Sequence, residues 1–468
     1  MTPSRPVVDS SMRNGQLSFW MARDDLVPPP TATLAGDLDV DVAIVGAGLS
    51  GLWTAWALRQ LDPSITVAVF DAHQLGFGAS GRNCGWLSAK PVGIRQVLAR
   101  TAGREAVIEV EDALRRSMHD VVAILGAETI DARHGGALQV ARSPSQQGRL
   151  DAYLAYSRSW GVQEDQLRAL TSEQARERIR IAGLTGALHT PDNYCVDPVK
   201  MLFALAGRVV DEGVAVYTDA PVEAIAAGAL SVRGHRVLAR RRVVVATEGY
   251  TATQPHHRRD LLPLNSSMVV TEPLSEAQWA EIGWRHADGL SGTAHTYFYG
   301  QRTPDGRIAL GGRGKPYRFG SRFDDRGRID DGTVRALTAM LSDLFPDTVV
   351  RLAHAWCGVL GVLRDWSPFI DAESEPGVIR LGGYAGQGLT AAHLAGRTVA
   401  DLITGRRAAA PAASWIRPMP RRWEPEPLRW IGANALYRAY SLADVLEERS
   451  SSARTSRLAL AANVVAGR

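Results

Sequence analysis

Two hydrophobic periods alternate along the chain, one suited to buried strands and one to helices, and the changes between them delimit its elements. Val40 to Val45 form a short apolar run of the kind that a strand covered on both faces requires. A loop with glycines at 46, 48 and 51 follows at once, Leu52 to Leu61 carry helical spacing, and Pro63 interrupts. Ile65 to Phe70 then predict a second strand, closed by Asp71. These pieces make one β-α-β unit of about 30 residues. Past a second glycine-rich loop, Gly76 to Gly85, the stretch Ile94 to Leu125 is helical in pattern with a break at Ala102 and Gly103. Helices are also predicted from Ser145 to Trp160 and after Thr171, where Thr171 and Gln174 stand at capping-box spacing.

From Asp197 the pattern returns to α/β: a helix to about Asp211, then strands at Val214 to Tyr217, Val222 to Ile225 and Arg242 to Thr247. A β-rich segment follows, in which Thr296 to Gln301 and Arg307 to Gly312 flank a Pro304-Asp305-Gly306 turn and predict a hairpin. Arg351 to Trp356 and Val378 to Leu381 read as later strands, Leu389 to Leu402 as a helix, and Pro425 to Glu448 as an amphipathic helix, expected as a packing arm rather than a membrane anchor. Because the second α/β set resumes after an insertion, two interleaved domains are expected within an α/β (α+β) fold. A dinucleotide-binding Rossmann-like domain would take residues 38–90, 197–265 and 351–408, and a β-rich substrate or cap domain 91–196 and 266–350. An N-terminal lead (1–37) and a C-terminal helical arm (409–468) complete the division.

The first glycine loop carries chemistry because of what flanks it. A strand precedes it, a helix follows it, and Asp71 ends the next strand 20 residues after Gly51. Gly46 permits the tight turn, Gly48 lets backbone approach a pyrophosphate, and Gly51 allows close helix packing, while the helix N-terminus offers free N–H groups to the anion. Asp71 is placed to accept from ribose hydroxyls, and an acid there disfavours a 2′-phosphate. FAD or NAD is therefore expected over NADP.

Composition removes other classes. The 468 residues are 45% hydrophobic and 22% charged, which suits large globular domains rather than disorder. Lys90, Lys200 and Lys315 are the only lysines among 53 basic residues, set against 49 acids. Although the pI is near 9.0, the arginines are interleaved with acids instead of gathered with aromatics, so no nucleic-acid partner is expected. Cys84, Cys195 and Cys357 form no CxxC pair, no metal site is suggested, and no 18-residue apolar run occurs. A cytoplasmic setting without a membrane span is the expectation.

Six segments taken together resemble the FAD-dependent amine and amino-acid oxidoreductases of the D-amino-acid oxidase superfamily, especially the γ-glutamylputrescine oxidase branch. They are Ser18 to Trp20, Asp41 to Gly51, Gly78 to Gly85, Val243 to Tyr250, Trp356 to Gly361 and Gly382 to Leu389. The resemblance covers most of the chain. It implies FAD held by Gly46, Gly48, Leu49, Ser50, Gly51 and Asp71 in the first unit. In the second loop it implies Ala79, Ser80, Gly81, Arg82, Asn83, Cys84 and Gly85, with residues 80 to 83 running along the pyrophosphate toward the isoalloxazine. Val222 resembles the strand residue whose backbone meets adenine, and Ala246 and Thr247 the loop that packs under the cofactor. Gly361 belongs to the same set, as do Gly386, Gln387, Gly388, Leu389 and Thr390, which would aim a helix N-terminus at the anionic edge of reduced flavin.

Departures from the family pattern sharpen the expectations. Cys357 lies one position from where some relatives tether flavin and Gly358 takes the tethering place, while no histidine occupies the Gly78 to Gly85 loop, so noncovalent FAD is favoured. Gln387 stands where many relatives have histidine. The lysine with which sarcosine oxidases activate oxygen corresponds to Ala309, leaving the electron acceptor as oxygen or another molecule. Tyr299, Arg313, His354, Trp356 and Arg364 are the candidate substrate-side residues, the arginines because guanidinium binds carboxylate bidentately. The expected reaction is oxidation of a C–N bond in a small amine or amino acid to an imine by hydride transfer to flavin N5. The rival readings are an FAD dehydrogenase of a hydroxy acid or polyol phosphate, and a flavoprotein subunit or RNA-modification module.

Overall fold

Leu38–Val45 becomes the central strand of a parallel sheet because its side chains find apolar partners on both faces. Val67–Phe70 pairs with it on one side and His235–Val245 on the other, both parallel. Ala215–Tyr217 and Val378–Gly382 extend the sheet in the same sense. Ile44, Val69 and Val244 pack toward the helix Leu49–Leu61, while Ala43, Phe70 and Val243 fill a second cluster on the opposite face. The helix Pro198–Asp211 covers the first face too, and Asp197 caps it by accepting from the Val199 and Lys200 N–H groups. The computed structural model describes residues 12–312, 314–407, 410–450 and 452–467.

The second body is a nine-stranded sheet. Its order runs Arg13–Asn14, Leu352–Val362, Leu262–Thr271, Ile308–Gly312, Tyr299–Arg302, Gly289–Gly292, Ala137–Ala141, Gly186–Thr190 and Arg168–Thr171. The expected hairpin is present, with Tyr299 opposite Gly311, and the Thr303 hydroxyl closes its turn by accepting from Arg307 N–H at 2.9 Å. Helix Asp331–Leu344 lays Val334, Leu337 and Leu341 into the same core.

Strand pairing crosses the boundaries expected from sequence. Sequence pattern groups Leu352–Val362 with residues 351–408 in the dinucleotide domain, yet this strand pairs residue for residue with Leu262–Thr271 in the nine-stranded sheet. That partner strand straddles the boundary at 265, and its apolar pattern is broken by Asn265, Ser266 and Ser267, which conceals it in the sequence. The break at Gly103 (φ +87°) divides Arg95–Ala102 from Arg104–Leu125 as expected. Among the described residues the C-terminal arm contains two α-helices, Leu428–Ser450 and Arg457–Ala466, where the sequence pattern predicts one.

Candidate functional site

A cavity of about 830 Å³ opens at the carboxyl ends of the parallel strands, where Val45 and Phe70 reach its rim. The glycine loop sets its floor. Gly46 has φ +106°, and a Cβ there would lie 2.6 Å from the Ala246 carbonyl oxygen. At Gly51 a Cβ would meet the Gly46 carbonyl oxygen at 2.0 Å, so only glycine brings the helix this close to the turn. Asp71 faces the loop, accepting from Ala47 N–H at 2.8 Å through one oxygen and from His73 N–H at 3.0 Å through the other. Burial pushes its carboxyl upward, opposed by those two hydrogen bonds.

Two helices begin at this cavity without a side-chain cap and without an acid in the first turn: Leu49–Leu61 after Gly48, and Gly388–Ile403 after Gln387. Their free N–H groups and dipoles make both ends attractive to anions. At the first helix the Ser80 hydroxyl accepts from Leu49 N–H at 3.0 Å. At the second, the Thr390 hydroxyl is buried with no partner among the described residues.

Of the residues expected at the cofactor, Gly46, Gly48, Leu49, Ser50, Asp71, Ala79, Ser80 and Asn83 line the cavity. So do Val222, Ala246, Thr247, Gly386, Gly388 and Leu389. Gly51, Gly81, Cys84, Gly85, Gly361, Gln387 and Thr390 are not on its wall. Arg82, expected along a pyrophosphate, turns away. Its guanidinium donates to the carbonyls of Asp325 (2.8 Å) and Cys357 (3.3 Å) and lies 4.8 Å from the Phe77 ring centroid. It braces the loop against the nine-stranded sheet. The N-terminal lead does the same job: Ser18 donates to the Gly81 carbonyl and Trp20 to that of Asn83.

The substrate-side candidates fall elsewhere. His354 is 3% exposed, bonds the Gly15 carbonyl at 2.8 Å and is pushed down to about 4 by burial, so it is a neutral strut for the N-terminal strand. Trp356 is fully buried and donates to the Arg82 carbonyl at 3.0 Å. Tyr299 pairs with the Ser266 hydroxyl. Arg364 faces Glu424 at 3.4 Å, donates to the Val465 and Ala466 carbonyls, and thereby caps the last helix. None of these four lines the cavity. Arg313 lies outside the described residues. Cys357 is buried, with its thiol pushed up to about 11 by desolvation.

Sequence reading missed Glu248, Tyr250 and Tyr384. All three line the cavity. Glu248 adopts φ +44° and accepts from Gly383 N–H at 2.8 Å, with the backbone of Tyr384 and Gly361 also bonded to its carboxyl. Burial, outweighing those bonds, pushes it up to about 7. Tyr384 bonds the Ser50 hydroxyl at 3.1 Å, tying the second helix start to the first. The one signal for Glu248 was an acid directly after the Val243 to Thr247 run.

A parallel sheet with a glycine turn that admits no Cβ, an acid at the end of the second strand and two uncapped helix ends around one cavity defines a dinucleotide-binding protein. Residues 41–402 match the family model for FAD-dependent oxidoreductases of the DAO type, and the chain belongs to that family. It is similar to the probable oxidoreductase OrdL of Rhizobium meliloti (strain 1021), at 25% identity over 81% of this chain and 86% of that protein. It is also similar to gamma-glutamylputrescine oxidoreductase of Escherichia coli (strain K12), at 25% identity over 80% and 86%. Among solved structures, glycine oxidase from Geobacillus kaustophilus superposes with a TM-score of 0.68 at 21% identity, covering 82% of this chain and 99% of that one. The cofactor is FAD, and the cradle fits it: the wall carries a buried acid, Asp71, at the end of the second strand, and two helix ends suited to anions open onto the cavity. No helix among the described residues is long and apolar enough to cross a membrane.

Proposed function

We propose that this FAD-dependent oxidoreductase removes a hydride from the carbon beside the nitrogen of a small amine or amino acid, leaving an iminium that loses its nitrogen proton to water to become an imine. Water then opens the imine to an aldehyde or oxo acid and releases ammonia or a smaller amine. Bound FAD supplies two-electron acceptance, returned afterwards to oxygen or another acceptor. The observation that carries this reading is a complete dinucleotide cradle in a chain similar, over most of its length, to relatives named for amine and amino-acid oxidation.

In this reading Asp71 holds the ribose, the glycine turn and the start of Leu49–Leu61 hold the diphosphate, and Val222 to Ile225 border the adenine. Gly386 to Leu389, at the free end of Gly388–Ile403, stabilise negative charge on the flavin. Tyr250, Phe323, Leu360 and Tyr384 contribute apolar wall that excludes water from the reacting bond. The flavin is held noncovalently and the enzyme works in the cytoplasm.

Anaerobic titration of the purified yellow protein with a panel of amines and amino acids tests the proposal. Bleaching of the visible flavin band by at least one amine is expected. Bleaching by hydroxy acids or polyol phosphates alone would replace it with the rival dehydrogenase, and a colourless protein that takes up no FAD would overturn the cofactor assignment.

A further inference from the structure

The family match ends at residue 402, and the chain beyond it builds an arm whose outer surface differs from the rest of the molecule. On the helix Leu428–Ser450, Arg429, Tyr440, Ala443 and Glu447 are buried against the body. The opposite side repeats at intervals of three to four residues: Leu428, Ile431, Ala435, Arg438, Leu442, Val445 and Arg449, all exposed. The second helix repeats the pattern. Ala459, Ala462 and Ala466 face inward, while Arg457, Leu460, Val464 and Val465 face outward, Val464 with 79% of its surface exposed. Phe319 and Trp430, both exposed, pack edge to face at 6.4 Å and add to the apolar surface.

This surface does not belong to loosely attached helices. Glu447 is clamped by Arg149 and by His295 (2.9 Å), and Asp444 accepts from the backbone of His295 and Thr296. Tyr440 bonds Asn463 at 2.8 Å, and Arg364 and Trp366 hold the Ala466 carbonyl. The inner faces are satisfied and the outer faces are presented rigidly.

Charge selects the occupant. Two of the three acids on the arm helices, Asp444 and Glu447, are consumed by the inward contacts, leaving Glu448 against exposed Arg438, Arg449, Arg454 and Arg457. A second copy docked through this face by two-fold symmetry would set the same arginines against one another with almost no acid to receive them. A surface that is both anionic and apolar beneath satisfies both kinds of side chain. We propose that the outer face of the C-terminal arm docks this enzyme on an anionic lipid bilayer, lying in the headgroup layer rather than crossing it. The helix Leu428–Ser450, 23 residues, is long enough to lie about 35 Å along that layer.

The test is flotation of the full-length, FAD-loaded enzyme with vesicles of phosphatidylcholine alone or with one-third phosphatidylglycerol, at low and high salt. Binding to the anionic vesicles is expected, lost on phosphatidylcholine and reduced by salt. R449S/R457S should weaken it about 25-fold, at roughly fivefold per basic residue near an anionic surface. L442S/V464S should also abolish retention at moderate salt. Both double variants alter exposed side chains, so the flavin spectrum and melting temperature should match the parent. Failure of the parent to float with either vesicle, or equal flotation of parent and variants, would overturn the proposal. So would a concentration-dependent dimer, seen by light scattering, that L442S/V464S dissociates, because the occupant is then a second copy. These outcomes are independent of which substrate reduces the flavin.

Discussion

Replacing Glu248 by glutamine tests whether a carboxyl enclosed at the cofactor cavity makes stability depend on pH. Its folded value is raised from 4.5 to about 7 by burial, so the proton is held more tightly in the native state than in the unfolded chain. The stability this contributes is fully present below about pH 4.5 and is lost as pH rises through 7. At about 1.4 kcal/mol per pH unit the displacement corresponds to at most about 3 kcal/mol. Because Glu248 lines the cavity, water there reduces the figure in protein lacking FAD. In E248Q the side-chain amide keeps a carbonyl for the Gly383 N–H and cannot ionise. Urea unfolding of the FAD-loaded parent and E248Q, followed by tryptophan fluorescence at pH 5, 6, 7 and 8, isolates the contribution. The parent should lose stability relative to E248Q by about 1–3 kcal/mol between pH 5 and 8. Parallel stability profiles for the two proteins would refute the reasoning, since every other titrating group is common to both.

Gly51→Ala places a Cβ 2.0 Å from the Gly46 carbonyl oxygen, and relieving that overlap by moving the helix should cost about 1–3 kcal/mol and weaken FAD binding at least tenfold, read by flavin fluorescence titration. Asp71→Asn preserves shape but removes the charge facing the ribose site, with an expected loss of about tenfold in FAD affinity; undiminished affinity would remove Asp71 from the cofactor site. Arg364→Ala should leave the KM for amines unchanged while lowering the melting temperature by roughly 1–3 °C, because the guanidinium caps the last helix instead of facing substrate. Acid precipitation should release all the FAD into the supernatant from both the parent and Cys357→Ser, and flavin retained in the pellet only by the parent would show a tether at that thiol.

Much of the cofactor cradle was legible because its signals are local. A strand, a turn that tolerates no Cβ, a helix start and an acid 20 residues on are consecutive features of one chain segment, and each has its own residue requirement. The hairpin around Thr303 to Arg307, the break at Gly103 and the capping box at Thr171 were legible for the same reason. The strand Leu262–Thr271 was not, because Asn265, Ser266 and Ser267 interrupt its apolar run, and only pairing with Leu352–Val362 makes it a central strand.

Four of the substrate-side residues expected from sequence, Tyr299, His354, Trp356 and Arg364, lie off the cavity wall. His354 and Trp356 sit in a strand that becomes the interior of a sheet, and Arg364 meets a helix end about 100 residues later, so their partners are backbone carbonyls. Glu248 shows the converse: its neighbours in sequence say nothing of Gly361, Gly383 and Tyr384, whose backbone encloses it. The sequence by itself determined the β-α-β unit, the FAD fingerprint and the amphipathic arm, since those depend on residue type at short spacing. Tertiary structure alone decided which polar groups are desolvated, which arginines are spent as braces and caps, and which face of the arm stays uncovered. Desolvation and hydrogen-bond geometry are set by segments that approach from hundreds of residues away.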